Sequence, residues 1–384
     1  MATYRELVDR ARSQTVEIDS SELHERLDRV TVLDVREPEE FEQGAIPGAR
    51  FLPRGLLERD VASVIPHTDT ELVVYCSGGW RSALAAVTLQ TLGYTTVSSL
   101  SGGFDQWKID GKPWGDPDGL TTDQRSRYAR HVQLPEVGEA GQLRLLGSRV
   151  LLVGAGGLGS PAALYLAAAG VGTIGIVDND VVDASNLQRQ ILHNIDRLGM
   201  AKVASARESI LLLNPDVKVE THEERLDASN VLRIMGDYDV VVDGGDNFPT
   251  RYLINDASLH LKIPVVHGSI FRFEGQVAVF DPFEGPCYRC LHPLPPPPDL
   301  APSCAEAGVL GVLPGVIGSI QAMEAIKLTL EIGDTLAGRL MVYDALEQDF
   351  MTVQVRRNAE CVACSRPDQP PAIVDYDETC RPTS

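Results

Sequence analysis

The chain lacks an uninterrupted apolar run long enough to cross a bilayer. Residues 150–177 invite that reading because they carry no charged side chain. A glycine cluster and Pro161 cut them into pieces of strand or helix length, so no span is expected. There is also no dense lysine or arginine stripe. With 34 basic against 54 acidic residues the formal net charge is −20, which disfavours direct binding to nucleic acid or to an anionic membrane. The opening MATYRELVDRAR is charged from the start and has no apolar core. No export signal is visible in it, and a cytoplasmic location is expected. There is no internal repeat.

What is present is 384 residues, room for two or three domains that each bury a core. The composition, 43% hydrophobic and 23% charged, is that of an ordinary globular protein. Seven cysteines is an odd number, and four of them stand as two C-x-x-C pairs. That pattern favours a reduced compartment with metal-binding or catalytic thiols over a disulfide framework.

Patterning suggests a short helical leader (1–14), an α/β unit (15–115), a Gly/Pro/Asp-rich linker (116–120), a larger α/β domain (121–366) and a loosely ordered tail (367–384). The most informative stretch is 148–180. An apolar strand, residues 150–153, runs into Gly154, Gly156, Gly157 and Gly159, then an Ala/Leu-rich helix, then a second strand ending at Asp178. Glycines let backbone approach a phosphate, the helix N-terminus supplies amide donors, and an acid at the second strand's end accepts from ribose hydroxyls. The unit binds a nucleotide, and up to this point an NAD site fits equally well.

The following loop, DNDVVDASNLQRQILH, favours a triphosphate. Arg189 in that loop and Lys202 at the next helix supply cations for phosphates. Asp246, in VVVDGGDNF after an apolar strand, supplies a carboxylate for Mg²⁺. An NAD-dependent oxidoreductase needs neither. Cys287/Cys290 and Cys361/Cys364 have the paired spacing of a tetrahedral four-thiolate zinc site, structural because it leaves no open position.

In the smaller unit, Cys76 follows the apolar strand 72–75 and opens the loop CSGGWR before a helix. Backbone amides, a helix N-terminus and Arg81 are placed there to stabilise an anion on sulfur. Residues 16–114 resemble the rhodanese family, through LDVREPEEFEQGAIPGA, CSGGWR and LSGGFDQW. That resemblance implies a rhodanese-like α/β fold and a persulfide on Cys76. Related phosphatases have five residues between the Cys and the Arg. Here there are four, which favours sulfur over phosphate.

Residues 120–366 resemble the MoeB/ThiF branch of the ubiquitin-activating E1 superfamily. The matching motifs are RYARH, GAGGLGS, DNDVVDASNLQRQ, GMAKV, DGGDN, EGQVAVF, PCYRC, CAEAGVLG and IGSIQAMEAIKL. The implied fold is a Rossmann-like adenylation domain, in a chain that joins the two domains in the reverse of their usual order. By resemblance, ATP is held by the four glycines, Asp178, Asp180, Ser185, Asn186, Leu187, Gln188, Arg189, Lys202, Asp246 and Asn247. Asp246 carries Mg²⁺, and Arg130 reaches the partner subunit's nucleotide in a homodimer. Cys304, in the family's crossover loop, is a candidate acyl or sulfur acceptor. Cys380 is assigned no role.

Together the domains imply an enzyme that adenylates the C-terminal glycine of a ubiquitin-like sulfur carrier ending in Gly-Gly. The Cys76 persulfide, loaded by a donor such as a cysteine desulfurase, then makes the thiocarboxylate. The alternative is a rhodanese domain that only docks partners.

Overall fold

Runs of buried aliphatic residues form the central strands of two separate units. The computed structural model describes residues 3–115, 119–294 and 308–376. One unit extends to Gln133 and the other begins at Leu134.

The first unit contains α1 (Tyr4–Gln14), β1 (Val16–Ile18), β2 (Thr31–Asp34), α2 (Pro38–Glu42), β3 (Arg50–Phe51), β4 (Leu72–Tyr75), α3 (Trp80–Thr91), β5 (Val97–Leu100) and α4 (Gly103–Ile109). The strands form a parallel sheet in the order β1-β5-β4-β2-β3. Central β4 buries both faces. Leu72 and Val74 join a core with Leu33, Leu57 and Leu89, whereas Val73 and Tyr75 join one with Phe104 and Trp107. A strand covered on both sides has no polar face, so it reads as an unbroken apolar run. The leader is part of this unit: α1, capped by Thr3 and Glu6, buries Val8 and Ala11 and packs on α3. Two short helices, Thr122–Arg127 and Ala129–Val132, also belong to it.

The second unit contains β6 (Arg149–Val153), α5 (Gly159–Ala169), β7 (Thr173–Val177), α6 (Lys202–Leu213), β8 (Lys218–His222), β9 (Val240–Asp243), α7 (Phe248–Leu261), β10 (Val265–Phe271), β11 (Glu274–Phe280), α8 (Leu313–Leu330), β12 (Arg339–Asp344) and β13 (Asp349–Gln354). Its sheet has the order β13-β12-β11-β10-β9-β6-β7-β8. Strands β6 to β10 are parallel, and β11 to β13 extend the sheet antiparallel. The chain leaves β6 in one direction to β7 and β8, then returns to its other side with β9 and β10. Carboxyl ends of strands at such a reversal form a crevice that takes ligands. Among the described residues no helix is long and apolar enough to cross a membrane.

Among the elements not legible in the sequence are β8, β13 and α7. Strand β13 buries no residue and β8 is only half-buried, so neither shows an apolar signal. Helix α7 begins with Pro249 in its first turn, which reads as a breaker in sequence but suits a helix start. The expected loose tail is docked up to Tyr376. Ala228 N–H donates to the Asp375 carboxylate (2.8 Å) and the Tyr376 hydroxyl to Asp256 Oδ2 (2.6 Å).

Candidate active site

The glycine turn between β6 and α5 is fixed by close packing of backbone on backbone. A β-carbon on Gly159 would lie 2.0 Å from the Gly154 carbonyl oxygen, so no larger residue fits. Ala155 N–H donates to Asp178 Oδ2 (2.9 Å), and Asp180 N–H donates to Asp178 Oδ1 (2.8 Å). Asp178 thereby ties the glycine turn to the loop after β7. Buried His193 bridges the Ala155 carbonyl and the Ser205 hydroxyl, both at 2.9 Å, and burial lowers its pKa.

Above these strand ends lies a cleft of about 370 Å³. Gly154, Gly156, Gly157, Asp178, Asp180, Arg189, Lys202, Asp246 and Asn247 line it. Lys202 is buried and pairs with Asp180 (2.7 Å), and Arg189 donates to Asn186 Oδ1 (3.0 Å). Asp246 is exposed, and Asn247 caps α7 by accepting from Thr250 N–H (2.9 Å). The cleft thus brings together glycine backbone, the cations of Arg189 and Lys202 and the exposed Asp246 carboxylate. Those are the parts a nucleotide triphosphate with a divalent cation requires.

Gly159, Ser185, Asn186, Leu187 and Gln188 do not line the cleft; Gly159 packs against the Gly154 carbonyl. Ser185 is turned to Asp183, whose Oδ1 accepts from its N–H (2.8 Å) and its hydroxyl (2.5 Å). Gln190, Arg225, Thr250 and Arg251 do line it and were not expected. Thr250 and Arg251 sit in the first turn of α7, so missing that helix meant missing them. Below the cleft Asp243 is fully enclosed. It accepts from Gly245 N–H (2.9 Å) and bonds the His267 ring (2.8 Å), while Gln321 donates to its carbonyl (2.8 Å). Arg130 is exposed in the first unit and donates to Gln133 (3.4 Å). Cys304 and Cys380 lie outside the described residues.

Four thiols meet at a separate centre. The Sγ atoms of Cys287, Cys290, Cys361 and Cys364 all lie within 4.8 Å of one another. Three of the separations are 3.9, 3.7 and 3.4 Å. A tetrahedron with about 2.3 Å metal–sulfur bonds has sulfur–sulfur edges of about 3.8 Å, so the spacing fits zinc. Burial pushes Cys287 well above the ordinary thiol range and Cys364 up to about 11. Thiols packed this way ionise together only around a cation.

In the first unit Cys76 is buried at the head of the loop leading into α3. Its Sγ accepts from Ser82 N–H (3.4 Å), and the Ser82 hydroxyl stands 3.7 Å away. The loop carbonyls are held from behind. Phe104 N–H donates to Cys76 O (2.8 Å) and Asp105 N–H to Ser77 O (2.9 Å). Gly103 makes this approach feasible, since a β-carbon there would lie 2.2 Å from Cys76 O. Arg81 forms a two-pronged ion pair with Glu40, at 2.7 and 2.8 Å.

A nucleotide-binding sheet with a glycine turn, a four-thiol centre and a separate thiol-loop domain define a two-domain protein with nucleotide and sulfur chemistry. Residues 128–363 match the ThiF family and residues 19–110 the rhodanese-like domain. The chain belongs to the ThiF family and carries a rhodanese-like domain. It is 53% identical over 262 residues to the SAMP-activating enzyme E1 of Haloferax volcanii, covering 68% of this chain and 97% of that one. It is 51% identical over 265 residues to the sulfur carrier protein adenylyltransferase of Thermus thermophilus, covering 68% and 98%. At 51% identity it also matches the probable adenylyltransferase/sulfurtransferase MoeZ of Mycobacterium tuberculosis, covering 68% of this chain and 66% of that one. The crystal structure of the microcin C7 biosynthetic enzyme MccB shares the fold, with TM-score 0.56 at 19% identity over 63% of this chain and 76% of that one.

Proposed function

We propose that this chain adenylates the C-terminal glycine of a ubiquitin-like sulfur carrier ending in Gly-Gly and then converts it to a thiocarboxylate. The observation that carries the reading is one cleft lined by the glycine turn, Asp178, Arg189, Lys202 and Asp246. The relatives' names and the paired ThiF and rhodanese-like domains support it.

A carboxylate is a poor acceptor for sulfur because an oxide would have to leave. Attack of the glycine carboxylate on the α-phosphorus of ATP expels pyrophosphate and leaves an acyl adenylate. Arg189 and Lys202 neutralise the phosphates, and Asp246 holds the accompanying Mg²⁺. Asn186, Asp180 and Asn247 position the nucleotide and these charges. In a homodimer Arg130 serves the nucleotide of the partner subunit.

Cys76, loaded by a persulfide donor such as a cysteine desulfurase, presents its terminal sulfur to the acyl carbon, and AMP leaves. A second thiol then cleaves the resulting acyl disulfide, releasing the thiocarboxylate and leaving Cys76 in a disulfide. Cys304 is the candidate for that thiol. The cysteines 287, 290, 361 and 364 hold a structural zinc. We assign the sulfur step to residues 15–115 and adenylation to residues 121–366, in the cytoplasm.

Asp246→Ala tests the adenylation half. Asp246 is exposed and supports no core, so the variant should fold but lose carrier-dependent ATP–pyrophosphate exchange. Exchange near the wild-type rate would refute the role.

A further inference from the structure

The cation of the thiol loop is already paired. Arg81 Nη1 lies 2.7 Å from Glu40 Oε2, and Arg81 Nη2 lies 2.8 Å from Glu40 Oε1. Arg81 also donates to the Ser77 hydroxyl (3.0 Å), and that hydroxyl donates to Glu40. Glu37 adds a second carboxylate 3.8 Å from Arg81. On the other side of the loop, an Arg12 guanidinium nitrogen stands 3.5 Å from where a Gly79 β-carbon would lie. That cation faces Glu17 at 3.2 Å. The rim of the Cys76 loop therefore carries two cations and three carboxylates.

From this geometry we propose that Glu40 is a specificity-determining residue of the thiol loop: by neutralising Arg81 it disfavours the thiosulfate dianion and reserves Cys76 for persulfide donors. The proposal rests on the sulfurtransferase reading above and names the residue that selects the donor.

The chemistry of loading is the same for both donors. The Cys76 thiolate attacks the outer sulfur, a new S–S bond forms, and the old one breaks. With thiosulfate the departing group is sulfite, so the loop must first admit two negative charges. With a persulfide R–S–SH the departing group is the thiolate RS⁻, and the reacting end brings at most one charge. A rim whose arginines are cancelled gives the dianion no net attraction, whereas a free Arg81 would draw it in.

Glu40→Gln is the discriminating variant. Glu40 also accepts from the Glu37 backbone N–H (2.9 Å) in a capping box at the start of α2. Glutamine serves in that box as well as glutamate, so the helix start survives while the charge is removed. Loading of Cys76 is followed by the mass of the intact full-length chain, with sodium thiosulfate or cysteine persulfide as donor and Cys76→Ala as the control.

Wild type should load from cysteine persulfide in preference to thiosulfate. In Glu40→Gln, kcat/KM for thiosulfate should rise on the order of tenfold, the low end of what cleft charge does to encounter rates. The persulfide value should stay within about threefold, and the thiosulfate gain should shrink as salt is raised. A merely structural role would move both donors together and would not respond to salt. Parallel changes, or a wild type that already prefers thiosulfate, would overturn the proposal. If neither donor loads wild-type Cys76, the sulfurtransferase reading falls instead, and this proposal with it.

Discussion

Lys202 Nζ lies 2.7 Å from Asp180 Oδ2, and the lysine is buried while its partner is exposed. A buried ammonium needs a counter-charge. In the free protein Asp180 supplies it. In the proposed reaction the triphosphate would take over from Asp180, with the lysine already placed before the nucleotide arrives.

Lys202→Met should therefore fold, since the methionine stem fills the same space, yet lower ATP–pyrophosphate exchange by about a hundredfold or more. Exchange within a few-fold of wild type would show that Lys202 neutralises no phosphate in the transition state.

The four-thiol centre should bind about one equivalent of zinc per chain, and its removal should lower stability because metal binding and local folding are one equilibrium. Cys361→Ser should lose the metal and unfold at lower temperature. Elemental analysis and calorimetry check both points. A metal-free protein that unfolds at the same temperature before and after chelation would contradict the assignment.

Acid should weaken the first unit through Glu40. Its hydrogen bond with Arg81 lowers its pKa from 4.5 to about 2, against an opposing effect of burial. A depressed carboxylate stabilises the fold fully above the unfolded value of about 4.5. That contribution fades as pH falls from there towards about 2. All three tryptophans, Trp80, Trp107 and Trp114, lie in this unit, so tryptophan fluorescence reports its unfolding. Glu40→Gln should unfold at lower temperature than wild type at pH 7, and the gap should narrow below about pH 4.5. A gap that stays constant down to pH 3 would exclude the linkage.

Much of the adenylation domain was legible because its chemistry and its packing use the same residues. Gly154 lines the cleft and has a φ of 95° that favours glycine, Gly159 packs on its carbonyl, and the apolar runs of β6 and β7 flank the pair. Asp243, His267 and Gln321 were not legible. Each is an isolated polar residue in or near an apolar run, and only the fold brings the three together. Arg251 stayed hidden because Pro249 disguised the helix that carries it. In the first unit Cys76 and Arg81 stood out as one short loop. Glu40 did not: it lies 36 positions before Cys76, and nothing in a run of glutamates marks which one meets the loop.

If one chain joins two separable steps, adenylation in the ThiF domain and sulfur delivery from Cys76, the first should survive loss of the second. The direct measurement is the mass of the carrier after incubation with Cys76→Ala protein, ATP and a persulfide donor, alongside ATP–pyrophosphate exchange. Exchange should persist at the wild-type rate, while the gain of about 16 Da that marks oxygen replaced by sulfur should be absent. Added sulfide should partly restore it, because the acyl adenylate remains electrophilic. Thiocarboxylate formed by Cys76→Ala at the normal rate from the persulfide donor would contradict the account and leave the rhodanese-like domain a docking module.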